Sequence, residues 1–540
     1  MTRPIYTLDL ETDPFEHGRY PRPFVADIFD GDEHFTFWGA DCVQRCVLFL
    51  MDKKAIVYAH NGGKFDYHLG FLRYLEEWQK VRIIAGRVAS FRIGECEFRD
   101  SINILPIGLA KYKKDEIDYL HTDTESQFEL VKNFIDTYGL HLTQAGAALN
   151  FFKKQYNIKI PNEGAGYYHK FSPFYFGGRV ECFKQGIFTG EFEGADIQSA
   201  YPFAMIHSHP WGFAYFETGE LDPAELLEKI DIWKTGFFTI QAISRGAFPY
   251  RPDRRDKLQY PCDNDVRVYN VTGHEIAAAV KTGTVTILRV LNGIVHDEVI
   301  NFDQYVYHFY DIRREMKIRI EKNPLDFEAI RIDLFCKIFL NSLYGKYAAN
   351  PEKYQEYLVS NVNCMSAMVE SGYDFAGTLG PNILMSRPVD AENQRYYNVA
   401  TAASITGFVR AYLWENICRT ENPLYCDTDF ILGSKVNVEI GKNLGQWSHE
   451  GFFDAAYIGG RKLYAFHKKG KPFSTGNEKT EQQKKDAAKW YKLASKGVRL
   501  SPYELYRVCS GDIVEYHSPV PTYSFNNIPT FQARKVQMTR

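Results

Sequence analysis

A chain of 540 residues, 45% hydrophobic and 15% aromatic, is long enough for several packed domains and too apolar for disorder. Its apolar runs, such as CVLFLM at 46–51, are far shorter than the ~20 residues of a bilayer span, and MTRPIYTLDLETD has no signal-peptide pattern, so a soluble intracellular protein is expected. The net charge of −3 hides an asymmetry: residues 461–540 hold 16 Lys and Arg against 6 Asp and Glu, leaving −13 for residues 1–460, as suits a polyanion-binding tail behind a body of carboxylate sites. Ten cysteines without a CxxC pair indicate reduced thiols rather than zinc or disulfides.

PIYTLDLET reads as a strand that puts Asp9 and Glu11 on one face. KAIVYAHN is a second strand, and YAHNGGKFDYHL adds Asn61, Phe65 and Asp66. RDSINILP contains Ser101, and YLHTD sets Tyr119 and Asp123 one helical turn apart. Residues 1–140 thus read as an α/β unit. From 141 to about 300, strand-like runs such as FFTIQAI and TVTILRVL dominate. That stretch contains FYFGGRVECF, with Tyr175, Gly177, Gly178 and Arg179, and GADIQSAYPFAM, with Asp196 at a strand end followed by Ser199, Tyr201 and Pro202. Residues 303–347 predict a helical hairpin broken at Asn323-Pro324. Its first arm carries Arg313; its second places Lys337, Asn341 and Tyr344 on one face. LYCDTDFIL predicts a strand and hairpin tip with Asp427 and Asp429 on the same face. GRKLYAFH is another strand, with Lys462 and Tyr464, and KLASKGVRLS in the basic tail holds Lys492 and Lys496. One tail helix is expected at 501–508.

Taken singly, each motif is compatible with a solvated turn or a packed helix. Together and in order, DIQSAYP, KIFLNSLYG and YCDTD resemble the polymerase motifs DxxSxYP, KxxxNSxYG and YxDTD of family B DNA polymerases. The resemblance implies a palm in which Asp196 and Asp427 bind two Mg²⁺ (or Mn²⁺) ions, with Asp429 as a supporting acid. It implies that Lys337 and Arg313 meet the triphosphate, that Asn341 and Tyr344 line the nucleotide site, and that Tyr201 excludes a ribose 2′-OH. Asp9 with Glu11, Asn61 with Phe65 and Asp66, and Tyr119 with Asp123 resemble the three motifs of proofreading 3′–5′ exonucleases. That likeness implies a second metal pair on Asp9, Glu11, Asp66 and Asp123, with Tyr119 orienting the attacking water. It also implies that Asn61, Phe65 and Ser101 hold the primer end.

FYFGGR resembles the YxGG segment of protein-primed members, which implies that Tyr175, Gly177, Gly178 and Arg179 contact the template. Lys462 and Tyr464 resemble the KxY primer-terminus motif, and Lys492 and Lys496 are expected on the thumb. The spacers after 205 and 350 are longer than the catalytic motifs need and match the two insertions of that subfamily. The whole chain resembles replicative polymerases of phages with linear, protein-capped genomes, nearest the tectivirus type.

The expected fold is α/β and α+β multidomain: an RNase H-like 3′–5′ exonuclease domain (1–140) and a right-hand polymerase. In the latter, 141–205 is linker and first palm part, 206–300 palm with the first insertion, and 301–350 fingers. Residues 351–395 form the second insertion, 396–467 palm and 468–540 thumb. The expected function is DNA-dependent synthesis with proofreading, initiated on a separate terminal protein, by a monomer in the cytoplasm of an infected bacterium. Its partners are template and primer DNA and deoxynucleoside triphosphates, with no membrane. The alternative is a DNA-primed repair polymerase without a terminal protein. Phe430 stands where the family commonly has serine, which points to altered metal preference or primer-end handling.

Overall fold

The computed structural model describes residues 3–14, 16, 19, 21–106, 119–159, 164–253, 255–478, 480–518, 522–523, 529–531 and 533–538. The chain divides into two compact units, one of residues 1–158, 350–395 and 517–532, the other of 159–349, 396–516 and 533–540. The first unit therefore runs past the boundary expected at 140 and takes in the segment expected to be the second insertion.

The first unit is built on a ten-stranded sheet. The strand carrying Asp9 and Glu11, Ile5–Thr12, pairs in parallel with Ile56–Ala59 and antiparallel with Pro23–Phe29. Ile56–Ala59 is buried throughout and pairs in parallel with Cys96–Asp100, as near-continuous apolar runs do under covered faces. Helix Tyr119–Tyr138 covers this end of the sheet and buries Leu130, Val131 and Phe134, while Thr7 Oγ1 donates to the Thr124 carbonyl at 2.8 Å. Strands Gln355–Ser360, Asp374–Leu379 and Asn382–Pro388 extend the same sheet from the edge of Gln79–Ile84.

The second unit contains a seven-stranded sheet of all-antiparallel neighbours. In order these are Tyr491–Ser495, Leu463–Lys468, Trp447–Gly460, Gly186–Ile197, Phe430–Gly433, Tyr425–Asp427 and Val180–Cys182. Strand Tyr491–Ser495 thus ties part of the tail expected as thumb into this sheet. A separate four-stranded sheet forms within 215–296. The expectation that strands dominate from 141 fails at its start, because Gln144–Gln155 and Gly164–Phe171 are helices. Thr143 caps the first, its side chain accepting from Gly146 N, a start signal outside the apolar pattern.

The helical hairpin consists of Asp303–Lys322 and Phe327–Tyr347. Asn323 ends the first arm before Pro324, and Asp326 Oδ1 caps the second by accepting from Ala329 N at 3.0 Å. Helix Val399–Ile417 is buried on nearly every side, which matches its small apolar sequence VATAASITG. The tail has the expected helix, at Pro502–Cys509, and a second at Glu481–Lys489. No helix among the described residues is long and apolar enough to cross a membrane.

Candidate active sites

Asp196 lies near the end of the sheet's central strand, and its register partner is Phe430. Phe430 pairs on its other side with Asp427, so the two aspartates flank one residue of the intervening strand. Asp429 is in the turn rather than on a strand: Thr428 takes φ +63°, in the left-handed region, and Asp429 N donates to the Asp427 carbonyl at 2.7 Å. The expected same-face strand geometry is therefore replaced by a tight turn. That turn is fixed from two sides. Thr428 N donates to the Arg179 carbonyl at 2.6 Å, and Ile197 N donates to the Asp429 carbonyl at 2.7 Å.

The three carboxylates repel one another in a partly dehydrated place. Burial first, then the charges of Asp429, Glu450 and Asp427, push Asp196 up to about 7 against the pull of Lys492. Burial and Asp427 push Asp429 up to about 6. Lys462 Nζ donates to Asp427 Oδ1 at 2.8 Å, and Lys462 N donates to Tyr425 Oη at 3.0 Å. Tyr464 is buried beside the same acids; burial and then Asp427, Asp196 and Asp429 raise its phenol. Lys492 Nζ pairs with Glu450 at 2.8 Å and lies 4.1 Å from the Phe430 ring centroid. Phe430 is a core residue in the space opened by Gly194, where an added Cβ would come within 3.1 Å of its ring. Lys496 is exposed.

Tyr201 and Tyr344 stack with centroids 4.4 Å apart and planes at 14°. Asn341 Nδ2 donates to the Lys337 carbonyl at 2.7 Å on the exposed face of the same helix. Arg313 pairs with Asp333 at 2.9 Å. Lys317, one turn further on, was not singled out in the sequence; partial burial and then the Arg313 charge lower its pKa, with Lys337 acting the same way. These three cations form one basic face of the hairpin, and the i, i+4 spacing of Arg313 and Lys317 was the available signal.

The YxGG segment packs against the turn. Arg179 is 1% exposed, its guanidinium bonded to Glu181 and to the Gly246 carbonyl and lying 4.1 Å and 4.3 Å from the rings of Tyr260 and Trp414. The expected template contact by Arg179 is thus corrected: its side chain is enclosed, and its carbonyl holds Thr428. A Cβ on Gly178 would stand 2.8 Å from Thr428 Cγ2 and 2.9 Å from Tyr201 Oη, so glycine is required by packing. Gly177 is exposed with open space where a Cβ would stand, and Tyr175 is half-buried near Tyr344 and Tyr201. Arg410, also missed, donates to the Phe176 and Gly177 carbonyls and pairs with Glu275 at 2.7 Å, both side chains 1% exposed. A lone arginine in the apolar helix AASITGFVRAYL was its signal.

In the first unit, burial and then Asp66, Asp123 and Glu11 raise Asp9 well above the carboxylate range, so the four expected acids converge, Asp123 included. Burial, Asp100 and Glu11 push Asp66 up to about 8. Asn61 takes φ +63° and its Oδ1 accepts from Arg87, which also bonds Asp100 at 2.7 Å. Asp100, buried beside the acids and bonded to Gly63 N, is a further residue the motifs did not reveal. Phe65 packs on the edge of the core. Ser101 is corrected from a DNA contact to an internal one: it is fully buried between His60 Nδ1 at 3.0 Å and Gln127 Nε2 at 3.1 Å. Tyr119 opens its helix, and its side chain lies outside the described residues. Both clusters offer only oxygen donors whose charges are mutually unfavourable, which fits hard divalent cations.

Residues 108–376 match the family model described as DNA polymerase type B, organellar and viral. The DNA-directed DNA polymerase of Enterobacteria phage PRD1 is 30% identical, over 99% of this chain and 98% of its own length. A probable DNA polymerase of Neurospora intermedia is 24% identical over 66% of this chain and 38% of its own. The fold resembles Phi29 DNA polymerase complexed with primer-template DNA and incoming nucleotide substrates, with a TM-score of 0.70 at 15% identity and full coverage of both chains.

Proposed function

The chain belongs to the type B DNA polymerases of organelles and viruses and is a DNA-directed DNA polymerase, and from that premise we propose that it copies a linear phage-type genome by protein priming and proofreads its product. The observation that carries the synthetic half is the convergence of Asp196, Asp427 and Asp429, pressed together by the sheet and the Thr428 turn. Asp196 and Asp427 would hold a pair of Mg²⁺ or Mn²⁺ ions. Bound there, such ions neutralise charge as a hydroxyl displaces pyrophosphate.

The protein's own groups do the rest. Arg313, Lys317 and Lys337 bind the triphosphate as point charges and a fork. Tyr201, stacked on Tyr344, forms the floor for the sugar and leaves no room for a 2′-OH. Lys462 holds Asp427 in place and, with Tyr464, meets the primer end. Lys496 and Gly177 are open to solvent, as backbone contacts to DNA must be. In the first unit Asp9, Glu11, Asp66 and Asp123 would hold the second metal pair, Asn61 and Phe65 would grip the frayed end, and Tyr119 would orient water. Initiation would use a Ser, Thr or Tyr hydroxyl of a terminal protein; only the attacking oxygen differs between priming and elongation. Strands in 215–296 and 355–388, beyond what the catalytic motifs require, support this reading. The monomeric enzyme would act in the cytoplasm of an infected bacterium.

The test is a pair of variants. Asp427→Ala should abolish incorporation and spare degradation of single strands; Asp9→Ala with Asp66→Ala should do the reverse. Equal loss of both activities in both variants would refute two separate sites. Transfer of labelled nucleotide to a co-encoded small protein separates protein priming from the DNA-primed alternative.

A further inference from the structure

We propose that Asp27, His34 and His121 form a third metal site, separate from both carboxylate clusters, that takes one divalent transition-metal ion, with Zn²⁺ preferred. One ligand atom from each residue lies within 4.8 Å of the other two. The site is assembled from three elements. Asp27 and Thr36 are register partners on adjacent strands, and His34, two residues before Thr36, shares their face. Helix Tyr119–Tyr138 brings His121 over that face. Asp27 is fully buried, while His34 and His121 are 19% and 36% exposed, leaving an entry path for an ion.

The bonding around the site resembles a ligand shell. His34 Nδ1 is 2.8 Å from Asp27 Oδ2, and His121 Nε2 bonds the Thr36 hydroxyl at 3.0 Å and lies 3.4 Å from Asp27 Oδ1, so each ring brings a nitrogen to the Asp27 carboxylate, where a bound ion would replace the Thr36 bond. The rings stack at 4.0 Å. Outer groups orient His34 and Asp27. Glu125 lies 3.0 Å from His34 Nε2 and would hold that nitrogen's proton while an ion replaces the bond between Nδ1 and Asp27. Thr124 and Thr36 hydroxyls donate to the two Asp27 oxygens at 2.8 Å and 2.7 Å. Two imidazoles and one carboxylate favour Zn²⁺ over Mg²⁺, the opposite of the all-oxygen clusters. The ion would tie the helix to strands Pro23–Phe29 and His34–Trp38. That helix carries Asp123, and Asp27 is the register partner of Asp9, so the clamp would steady the exonuclease acids from outside their own ligand set.

The experiment uses the full chain carrying Asp66→Ala, stripped with chelator and dialysed against Zn²⁺ in millimolar Mg²⁺. The expected result is one Zn²⁺ retained per chain, a higher melting temperature than in chelator, and at least tenfold weaker binding on adding either His34→Gln or His121→Gln. X-ray absorption of the zinc-loaded parent should count two imidazoles around the metal, a readout that does not depend on the variants folding. No retained Zn²⁺, unchanged binding in both Gln variants, or a coordination sphere of oxygen alone would overturn the proposal.

Discussion

Replacing Asp196 by Asn should make the metal-free protein more stable, by an amount that depends on pH. Asp196 titrates near 7 in the fold against 3.8 for the free side chain. A raised carboxylate pKa means the folded state holds the proton more tightly, so folding loses stability as pH climbs from about 4 to 7. Three pKa units at 1.36 kcal/mol each set an upper bound of about 4 kcal/mol, and relaxation with partial solvation of a half-buried group reduces this to about 2 kcal/mol. Roughly a third has accumulated by pH 5 and nearly all by pH 8. Asn mimics the neutral form and escapes the penalty. In chelator, thermal or urea unfolding of Asp196→Asn should therefore exceed the parent by about 2 kcal/mol at pH 8 and less than 1 kcal/mol at pH 5, with a melting shift of a few degrees. Divalent cation at pH 8 should stabilise the parent more than the variant, which keeps only the acid cluster of the first unit intact. An equal gap at both pH values, or a variant weaker than the parent at pH 8, would refute the reasoning.

Gly178→Ala should leave folding intact but slow incorporation at least tenfold, since the new methyl must displace Thr428 or Tyr201, an overpacking cost of about 1–3 kcal/mol; steady-state kinetics on primed template decide it. Arg179→Met should cost about 3–5 kcal/mol in urea by leaving Glu181 uncompensated, while the salt dependence of DNA binding stays at the parent's slope. A reduced slope would restore Arg179 to the DNA surface. Asp123→Asn should cut degradation of single strands by about a hundredfold or more and leave polymerisation untouched, read from end-labelled oligonucleotides. With limiting Mg²⁺, exonuclease rate should climb with pH through the neutral range, because Asp66 sheds its proton only near 8; a flat profile between pH 6 and 8 would contradict that value.

The motif-bearing elements were readable because their chemistry constrains the local sequence. The strand of Asp9, the helix face of Lys337 and the break at Asn323-Pro324 follow from periodicity and capping, and all three are present. What escaped was non-local. Arg179 reads as a solvent-facing cation until Tyr260 and Trp414, remote in sequence, enclose it. Ser101 is sealed by His60 and Gln127 in the same way. Asp429 looked like a strand residue because DTD alternates correctly; only the positive φ of Thr428 makes it a turn. Helix Gln144–Gln155 was overlooked although QAGAALNFFKKQ is rich in helix formers behind the Thr143 cap, and the pairing of 355–388 with Gln79–Ile84 has no local signal at all.

That last pairing bears on how the protein can be dissected. Gln79–Ile84 would be a border strand if the chain were cut after residue 158, with bare amide and carbonyl groups along Val81 and its neighbours where Tyr357 now bonds. A fragment of the first unit made by simple truncation would therefore be prone to self-association. A soluble fragment should instead carry residues 350–395 grafted through a short linker, covering the open border as the intact polypeptide does.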